Sequence, residues 1–492
     1  MIWRKPALLF FLILFTAVGF SQNETDALRL GRLDYSGTAR FNALGGAMGA
    51  LGGDPSVVST NPAGLGVFRR SEVSITPSYY INNSSTTFNG NTSDANYNNL
   101  GLNNLAMVFS KEQDNVSGLL QTSWGIAYNR QANFFSETNH QTDNPYSSLL
   151  DIFRYDLENP KPVVMPNEIG DFGIFDYDVK PAYDARLLNY DSAFNGYVHA
   201  NEGYEGKQRK TYQESGSLSE LNIGYGGNYN NRIYFGASLA ITLYQFTQRT
   251  TYSEYDLPDS SQYTTLKQYS FQEELDISGS GFKGKLGLIY RVNDYLRLGL
   301  AYHTPSQITI DDQYSTTVES SFQSNDYQAS SPISNFGYTI RQPGRFQASA
   351  GIILGKAGLI GIEYEYADYR KLELREAESG FSFDPVNNTI QDIYRQTHHL
   401  RIGGEARFSQ YFVRGGFRYD QDPYVNGIEN DSPVFTYSFG AGLRQAGFYV
   451  DVTWRWRQYS ENMWIYDPAF IEKSEITYNS HAIMVSAAYR WK

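Results

Sequence analysis

FYVDVTWRWR, residues 448–457, alternates between two kinds of side chain with a period of two. One phase carries Phe448, Val450, Val452, Trp454 and Trp456, and the other carries every charged residue of the stretch. A helix would scatter these positions around its circumference, whereas a strand sends them to opposite faces. The stretch is therefore predicted to be a β-strand with one apolar face and one polar face.

The same alternation recurs beyond residue 70, for example in 232–245, 295–303 and 358–367, and the joins between such stretches alternate in length. Short turns are predicted near 112–117, 230–231, 293–294, 355–357, 409–410 and 445–447. Long loops are predicted at 82–101, 136–216, 254–268, 319–333, 377–390, 421–432 and 464–475. Thirteen such joins connect fourteen strands. Short turns on one side and long loops on the other are typical of bacterial outer-membrane barrels.

The composition agrees with that class. The 492 residues include 40 Tyr, 30 Phe and 44 Gly but no Cys, and no apolar run of about 20 residues follows the first twenty positions. The net charge of −12 argues against a nucleic-acid partner. The last strand, Ser480–Trp491, ends in aromatic residues, as suits the edge of a membrane. The predicted fold class is all-β, an antiparallel transmembrane β-barrel in a Gram-negative outer membrane.

The amino terminus carries an export signal. Arg4 and Lys5 precede the apolar run Ala7–Val18, and Gly19 and Ser21 are the small residues expected before a cleavage site. Residues 1–21 are therefore predicted to be a signal peptide.

The segment 22–70, between this signal and the first strand, is predicted to be a small helical plug, here called the hatch. Fourteen strands enclose more space than wall side chains fill, because about eight strands already suffice for a packed interior. Apolar residues recur at helical spacing in Ala39–Leu51, and Asp54–Pro55 and Asn61–Pro62 each pair a capping residue with proline. The barrel would occupy 71–492, with one large extracellular loop at 136–216.

The stretch Gly37–Tyr80, with its Asn61-Pro62-Ala63 motif, resembles the outer-membrane long-chain fatty-acid and aromatic-hydrocarbon transporters of the FadL/TodX type. It is most similar to the Bacteroidetes branch, whose members are often labelled haemin receptors. The resemblance implies passive uptake of hydrophobic small molecules such as long-chain fatty acids, gated by a hatch around Asn61, Pro62 and Ala63. It also implies a lateral exit beside a kinked third strand, here 118–135, with Gly125 as the weak point.

Two further groups of residues are candidate ligand sites. Leu149, Leu150, Ile152 and Phe153 form a short amphipathic turn in the large loop, which either captures a ligand or packs onto the loop itself. Charged residues on the lumenal phase either bind an anionic head group or pair with one another. They are Glu363, Glu365, Arg401, Glu405, Arg414, Arg418, Asp451, Arg455 and Arg457.

No catalytic motif is present, so the protein is predicted not to be an enzyme and to need no metal and no cofactor. One alternative is a haemin receptor, for which His140 and His199 are the available loop histidines, although 22–34 shows no clear energy-coupling box. The other alternative is a structural or adhesive barrel. The expected partners are outer-membrane lipid and lipopolysaccharide, the assembly machinery and a hydrophobic ligand, with the protein as a monomer.

Overall fold

The computed structural model describes residues 23–143, 145–159, 162–170, 175–204, 206–257, 265–376, 382–426 and 432–491. The predicted signal peptide, residues 1–21, lies outside the described residues, as does Asn144 of the large loop.

The chain forms a closed antiparallel barrel of fourteen strands, which confirms the predicted fold class. Four strands are interrupted and continue after a break. The strands are β1 Ser71–Phe88, β2 Asn91–Glu112, β3 Leu119–Asn133 with Ser136–Thr142, β4 Lys207–Tyr229, β5 Ile233–Tyr255, β6 Leu266–Arg291, β7 Leu296–His303 with Ser306–Phe322, β8 Ser334–Gln342 with Arg345–Ile353, β9 Gly358–Asp368 with Glu373–Glu376, β10 Gln396–Phe408, β11 Tyr411–Asp420, β12 Val434–Gln445, β13 Phe448–Met463 and β14 Ser474–Trp491. The barrel closes where β1 pairs with β14, from Ser71 opposite Trp491 to Thr87 opposite Glu475.

The outer surface of the barrel is apolar, as the alternation predicts. On β13, Val450 and Val452 are 47% and 44% exposed, whereas Asp451 and Thr453 between them are buried in the lumen. Because the ladder is closed, every strand finds backbone hydrogen-bond partners on both sides, which is what lipid requires. A closed barrel with an apolar belt is the architecture of an outer-membrane protein.

The helices are short. They are α1 Glu24–Gly31, α2 Ala39–Ala43, α3 Leu149–Glu158, α4 Val179–Asp184 and α5 Asp384–Ile393, with 3₁₀ turns at Pro55–Ser59, Pro62–Val67 and Tyr369–Lys371. Within the described ranges, none of them has the length and hydropathy needed to cross a membrane. A two-stranded sheet, Leu188–Asp191 with Gly196–His199, and a short strand, Asp326–Ser330, complete the secondary structure.

Three of the predicted loops are wrong in extent, one of them 319–333, where Asp326–Ser330 is a strand paired with the outer end of β7. Residues 82–101 are not a loop, because β1 and β2 continue to a tight turn at Asn89 and Gly90, whose φ angles are +47° and +80°. Residues 136–142 and 207–216 likewise belong to β3 and β4, which leaves 143–206 as the large loop. The cause is physical: beyond the membrane these strands are polar on both faces, so alternation vanishes while the hydrogen-bond ladder persists.

The two largest apolar cores among the described residues lie at different levels of the barrel. The lumenal core joins the hatch to the inner faces of the strands through residues such as Leu30, Phe41 and Met48. The second core lies beyond the membrane, where the loop 143–206, here called the cap, packs on the outer parts of β5 and β6 through Leu150 and Phe153.

Candidate functional site: the hatch and the lumenal wall

The hatch lies inside the barrel and fills it. From Asp26 to Phe68 almost every residue is buried, and about half of these residues lie in short helices or 3₁₀ turns. Its helices begin at side-chain caps: Asn23 caps α1 and Thr38 caps α2. Asp54 and Asn61 cap the two 3₁₀ turns, each followed by proline, so the capping predicted at both positions is confirmed.

Three wall side chains hold the middle of the hatch by its backbone. The carbonyl oxygens of residues 58, 59 and 60 accept hydrogen bonds from Ser238 on β5, Lys285 on β6 and His303 on β7, at 2.9, 2.8 and 2.6 Å. Lys285 also pairs with buried Glu220 of β4. These contacts are directional and polar, and removing them leaves the strand ladder intact.

Asn61 fixes the turn that follows. Its Oδ1 accepts a hydrogen bond from the amide of Ala63 at 3.1 Å, and its Nδ2 donates to the carbonyl of Gly49 at 2.7 Å. The residue is buried against β6, where a Cβ at Gly287 would lie 2.0 Å from Asn61 Oδ1. The Asn61-Pro62-Ala63 motif therefore joins two parts of the hatch and lies directly on the wall.

Asp34 anchors the outer part of the hatch. Its carboxylate accepts hydrogen bonds from Arg418 at 3.1 Å and from Arg455 at 2.9 Å, and Arg457 lies 3.8 Å away. Arg418 also donates to the carbonyl of Leu33 at 2.8 Å. One hatch carboxylate is thus surrounded by three guanidinium groups from β11 and β13.

The other predicted lumenal charges also face inward and are paired. Arg401 bridges Glu363 and Glu365 at 2.6 and 3.0 Å. Glu405 accepts from Arg414 at 2.7 Å and from Arg40 of the hatch at 2.9 Å. Arg414 reaches Asp451 at 2.6 Å, and Glu363 accepts from the amide of Gly49 at 2.8 Å. The nine predicted residues therefore meet one another and the hatch, which fits the pairing alternative rather than an open anion site.

Gly125 does not interrupt β3. The ladder runs through it on both sides, opposite Val108 of β2 and Gly224 of β4, so the predicted weak point is wrong. The residue has a different use: a Cβ at this position would lie 2.9 Å from Val58 and 3.0 Å from Leu65 of the hatch. Glycine here lets the hatch lie directly against the wall.

Gly125→Val is expected to displace the hatch while the barrel still assembles, because the added methyl groups would collide with Val58 and Leu65. Amide hydrogen exchange of peptides from the hatch should become faster. The variant should keep the heat-modifiable electrophoretic mobility of wild type, which shows that the barrel is folded. Gly404→Ala on β10 is the control, since its nearest neighbour would be 3.9 Å away. Unchanged exchange in the Gly125 variant would contradict this close packing.

The weak place in the wall lies farther along β3. Pairing between β2 and β3 ends at Asn104 opposite Asn129, although β2 extends back to Asn91 and pairs there with β1. Beyond that point β3 has a register shift between Arg130 and Ala132 and then breaks after Asn133.

Polar side chains occupy the resulting gap between β2 and β3. Arg130 donates to Asn133 at 3.1 Å, and Asn133 approaches Asn99 at 3.4 Å. The buried Arg130 Nε and both side-chain polar atoms of Gln131 have no hydrogen-bond partner among the described residues. The hatch is tied to this place, because the carbonyls of 130 and 131 accept from the amides of 36 and 34.

A cavity of about 380 Å³ lies in the lumen on the outer side of α1. The hatch contributes Asn23, Thr25, Asp26 and Arg29, and the wall contributes Tyr212, Gln248, Glu273, Leu275, Tyr314 and Met463. The lining of the cavity is therefore mixed: two tyrosine rings, one methionine and one leucine lie among polar side chains. The cavity is of a size suited to a small organic molecule.

The four predicted capture residues lie in α3 and pack inward. Leu150 and Phe153 are buried in the core of the cap, and Leu149 and Ile152 are partly buried against it. Phe153 meets Phe271 of β6 with a ring separation of 5.5 Å. The structure therefore agrees with packing onto the loop and the outer strands, and it offers no open apolar face on these four side chains.

Both loop histidines are engaged at each ring nitrogen. His140 contacts Thr138 at 3.2 Å and Ser474 at 2.8 Å. His199 contacts Asp151 at 3.1 Å and accepts from the amide of Asn201 at 3.2 Å. Neither ring presents a nitrogen suited to ligating a haem iron in this arrangement. Within the described ranges, no group of three or more His, Asp or Glu side chains is arranged to hold a metal ion.

The cap should respond to pH through Asp156. Burial, reinforced by the charges of Asp178 and Asp467, raises the pKa of Asp156 to about 7. Because an unfolded Asp has a pKa of about 3.9, the folded cap favours the protonated carboxyl, and its stability falls as the pH rises from about 4 through 7.

Asp156→Asn is therefore expected to slow proteolysis of the cap on intact cells at about pH 8, with no difference at about pH 4. Asp184→Asn is the matched control, because Asp184 is exposed and paired with Lys180 one turn away. Equal proteolysis of wild type and Asp156→Asn at about pH 8 would argue against a strained carboxyl at this position.

Three solved structures are similar to this chain in fold. A FadL homologue from Pseudomonas aeruginosa is 13% identical, with 94% of this chain and all of that chain covered and a TM-score of 0.55. The fold is that of the FadL-type channels. The toluene transporter TodX from P. putida is 11% identical, with 92% and 98% covered and a TM-score of 0.52. The CymD monoaromatic hydrocarbon channel is 12% identical, with 92% and 97% covered and a TM-score of 0.50.

The likeness to FadL and TodX is one of fold, since the identities are low. No protein-family model and no curated protein sequence matches the chain. Two of the three similar structures are named as a transporter or a channel, and none of the three is named as an enzyme. Sequence reasoning did not find the three wall residues that hold the middle of the hatch, namely Ser238, Lys285 and His303. The only available signal was the presence of Lys285 and His303 on the lumenal phase of apolar strands.

Proposed function

We propose that the protein is a passive outer-membrane channel for hydrophobic small molecules, such as long-chain fatty acids or hydrocarbons, and that the hatch gates it. One observation carries this proposal: a barrel closed by its own ladder contains a plug that is held by side-chain packing, hydrogen bonds and ion pairs and, among the described residues, by no strand pairing with the wall. A gate must be able to move without dismantling the wall, and polar contacts of this kind can exchange for water as they break.

The lumenal cavity beside α1 supplies a resting place for the transported molecule. Leu275, Met463 and two tyrosine rings offer apolar contact, while Arg29, Gln248 and Glu273 offer polar contact. Such a mixture suits a molecule with an apolar body and a small polar group. The two neighbours named as a toluene transporter and a monoaromatic hydrocarbon channel support a hydrophobic cargo.

The exit is inferred to be lateral. Below the cavity the hatch fills the lumen, whereas the gap between β2 and β3 starts at Asn104, next to the apolar outer residue Leu105. An apolar molecule that leaves through this gap enters lipid rather than water, which is the favourable direction. The link between the gap and residues 34 and 36 allows hatch movement and exit to be coupled.

The proposal is tested by uptake in a Gram-negative host that lacks its own outer-membrane fatty-acid channel. Cells that express the protein should accumulate a fluorescent long-chain fatty acid or a labelled monoaromatic hydrocarbon faster than cells with an empty vector. Uptake of a polar solute of similar size should not change. If neither hydrophobic probe enters faster, or if the polar solute enters equally well, the channel proposal is wrong and a structural barrel is favoured.

A further inference from the structure

The outward surface of the long strands changes character at a sharp boundary. On β5 the outward series is apolar up to Leu243 and polar from Gln245. On β6 the exposed Phe282 is followed outward by Ser280 and Ser278. This boundary marks the outer limit of the apolar belt, where the head groups of the outer leaflet lie.

Two clefts open on the outer wall at this boundary. One, of about 670 Å³, lies over β6 to β9, and the other, of about 450 Å³, lies over β3 to β7. Ser280 and Thr309 line both clefts, so the two are adjacent. Phe282 lines the first and Leu243 the second, so each cleft borders the apolar belt. The outside of a barrel is generally convex, and clefts across several neighbouring strands are therefore notable at this level.

The two clefts differ in chemistry. The larger carries Arg341 and Arg375, whose guanidinium groups both donate to the same oxygen of Glu373, at 3.4 and 2.8 Å. Each guanidinium group has five N–H donors. The shared carboxylate of Glu373 therefore uses only a small part of the hydrogen-bonding capacity of the two arginines. The smaller cleft is lined by hydroxyl groups and carries one carboxylate, that of Asp311.

We propose that these clefts bind the phosphorylated sugar head group of an outer-leaflet glycolipid, with its acyl chains lying on the apolar belt below. Arg341 and Arg375 match a phosphate, because guanidinium groups bind phosphate oxygens in paired, charge-assisted hydrogen bonds. The hydroxyl-lined cleft matches a sugar, since the hydroxyl groups of Ser217 and Ser278 can each donate or accept a hydrogen bond. Asp311 accepts from sugar hydroxyls at the end away from the arginines.

A glycolipid fits these clefts better than a glycerophospholipid. The smaller cleft has room for a sugar ring and extends sideways from the arginines across several strands, whereas a phospholipid head group is compact. The proposal is independent of channel function, because these side chains are on the outside of the wall and the hatch is on the inside.

The test is binding of purified lipopolysaccharide to the full-length protein in detergent, followed by native mass spectrometry and titration. Wild type is expected to retain one lipopolysaccharide molecule. Arg341→Gln/Arg375→Gln should weaken binding about tenfold or more, as expected when charge-assisted hydrogen bonds are lost. Arg249→Gln is the matched control, because Arg249 is also outward-facing but pairs with Glu274 away from both clefts. All variants should keep the heat-modifiable mobility of a folded barrel.

Two further probes separate the parts of the proposal. Dephosphorylated lipopolysaccharide should bind wild type as weakly as the intact lipid binds the double variant. Ser280→Tyr, which would fill both clefts, should weaken binding while both arginines remain. The proposal is overturned if the double variant and Arg249→Gln bind equally, if removal of phosphate has no effect, or if phosphatidylethanolamine displaces the glycolipid at equal concentration.

Discussion

Val452→Arg is expected to reduce assembly of the barrel severalfold. Val452 is the central residue of the five outward apolar positions of β13 and is 44% exposed on the outer surface. An arginine near the bilayer midplane of a barrel costs about 2–4 kcal/mol. Heat-modifiable protein in the outer membrane should fall severalfold relative to wild type.

Gln458→Arg is the matched control for this substitution. Gln458 is on the same strand and the same outward face, six residues farther out, where the surface is already polar. Near the interface the cost falls to about 0–1 kcal/mol, so this variant should assemble normally. Thr453 is a poor control, because it is buried and donates to the carbonyl of Ala39 in the hatch at 2.6 Å. Equal yields of the Val452 and Gln458 variants would contradict the conclusion that Val452 lies on the lipid-facing side of β13.

Asp34→Asn is expected to release the outer part of the hatch while the barrel stays intact. The change removes the carboxylate on which Arg418, Arg455 and Arg457 converge. Removing one partner of a buried ion pair costs about 3–5 kcal/mol, because the remaining charge is left buried. Amides of residues 31–38 should exchange faster, and cells should become sensitive to large polar antibiotics.

Asp26→Asn is the control for this hatch variant. Asp26 pairs with Arg29 of the same short helix, so its loss does not detach the hatch from the wall. In this variant the backbone amides of residues 31–38 should exchange hydrogen as slowly as in wild type. If Asp34→Asn leaves exchange and antibiotic resistance unchanged, the ion pairs at Asp34 do not hold the hatch.

The fold was predictable because its determinants are local and repeated. Alternation on β13 identifies the faces, and short turns such as 230–231 and 409–410 are visible where two strands meet. The failures fall where that pattern stops. The outer parts of β1 and β2 are polar on both faces, so the sequence resembles a loop although backbone pairing continues.

The contacts of the hatch could be predicted only in part. Capping by Asp54 and Asn61 is a local interaction between near neighbours in the chain, and the sequence shows it. The partners of Asp34 lie more than 380 residues away, and no spacing rule connects them. The role of Gly125 was misjudged for the same reason, because its significance lies in the approach of Val58 from another part of the chain.

The central claim, that movement of the hatch controls passage, is tested most directly by locking the hatch to the wall. A Cβ at Gly351 would lie 3.5 Å from the Cβ of Ala50, which is within the range of Cβ–Cβ distances in disulfides. The natural chain contains no cysteine, so the two introduced cysteines have no competing partner. With Ala50→Cys/Gly351→Cys, uptake of a fluorescent long-chain fatty acid should fall to background when oxidised and recover on reduction. The single variants, which cannot cross-link, should be insensitive to redox conditions. Equal uptake by the oxidised and reduced double variant, with the cross-link verified, would contradict a gating hatch.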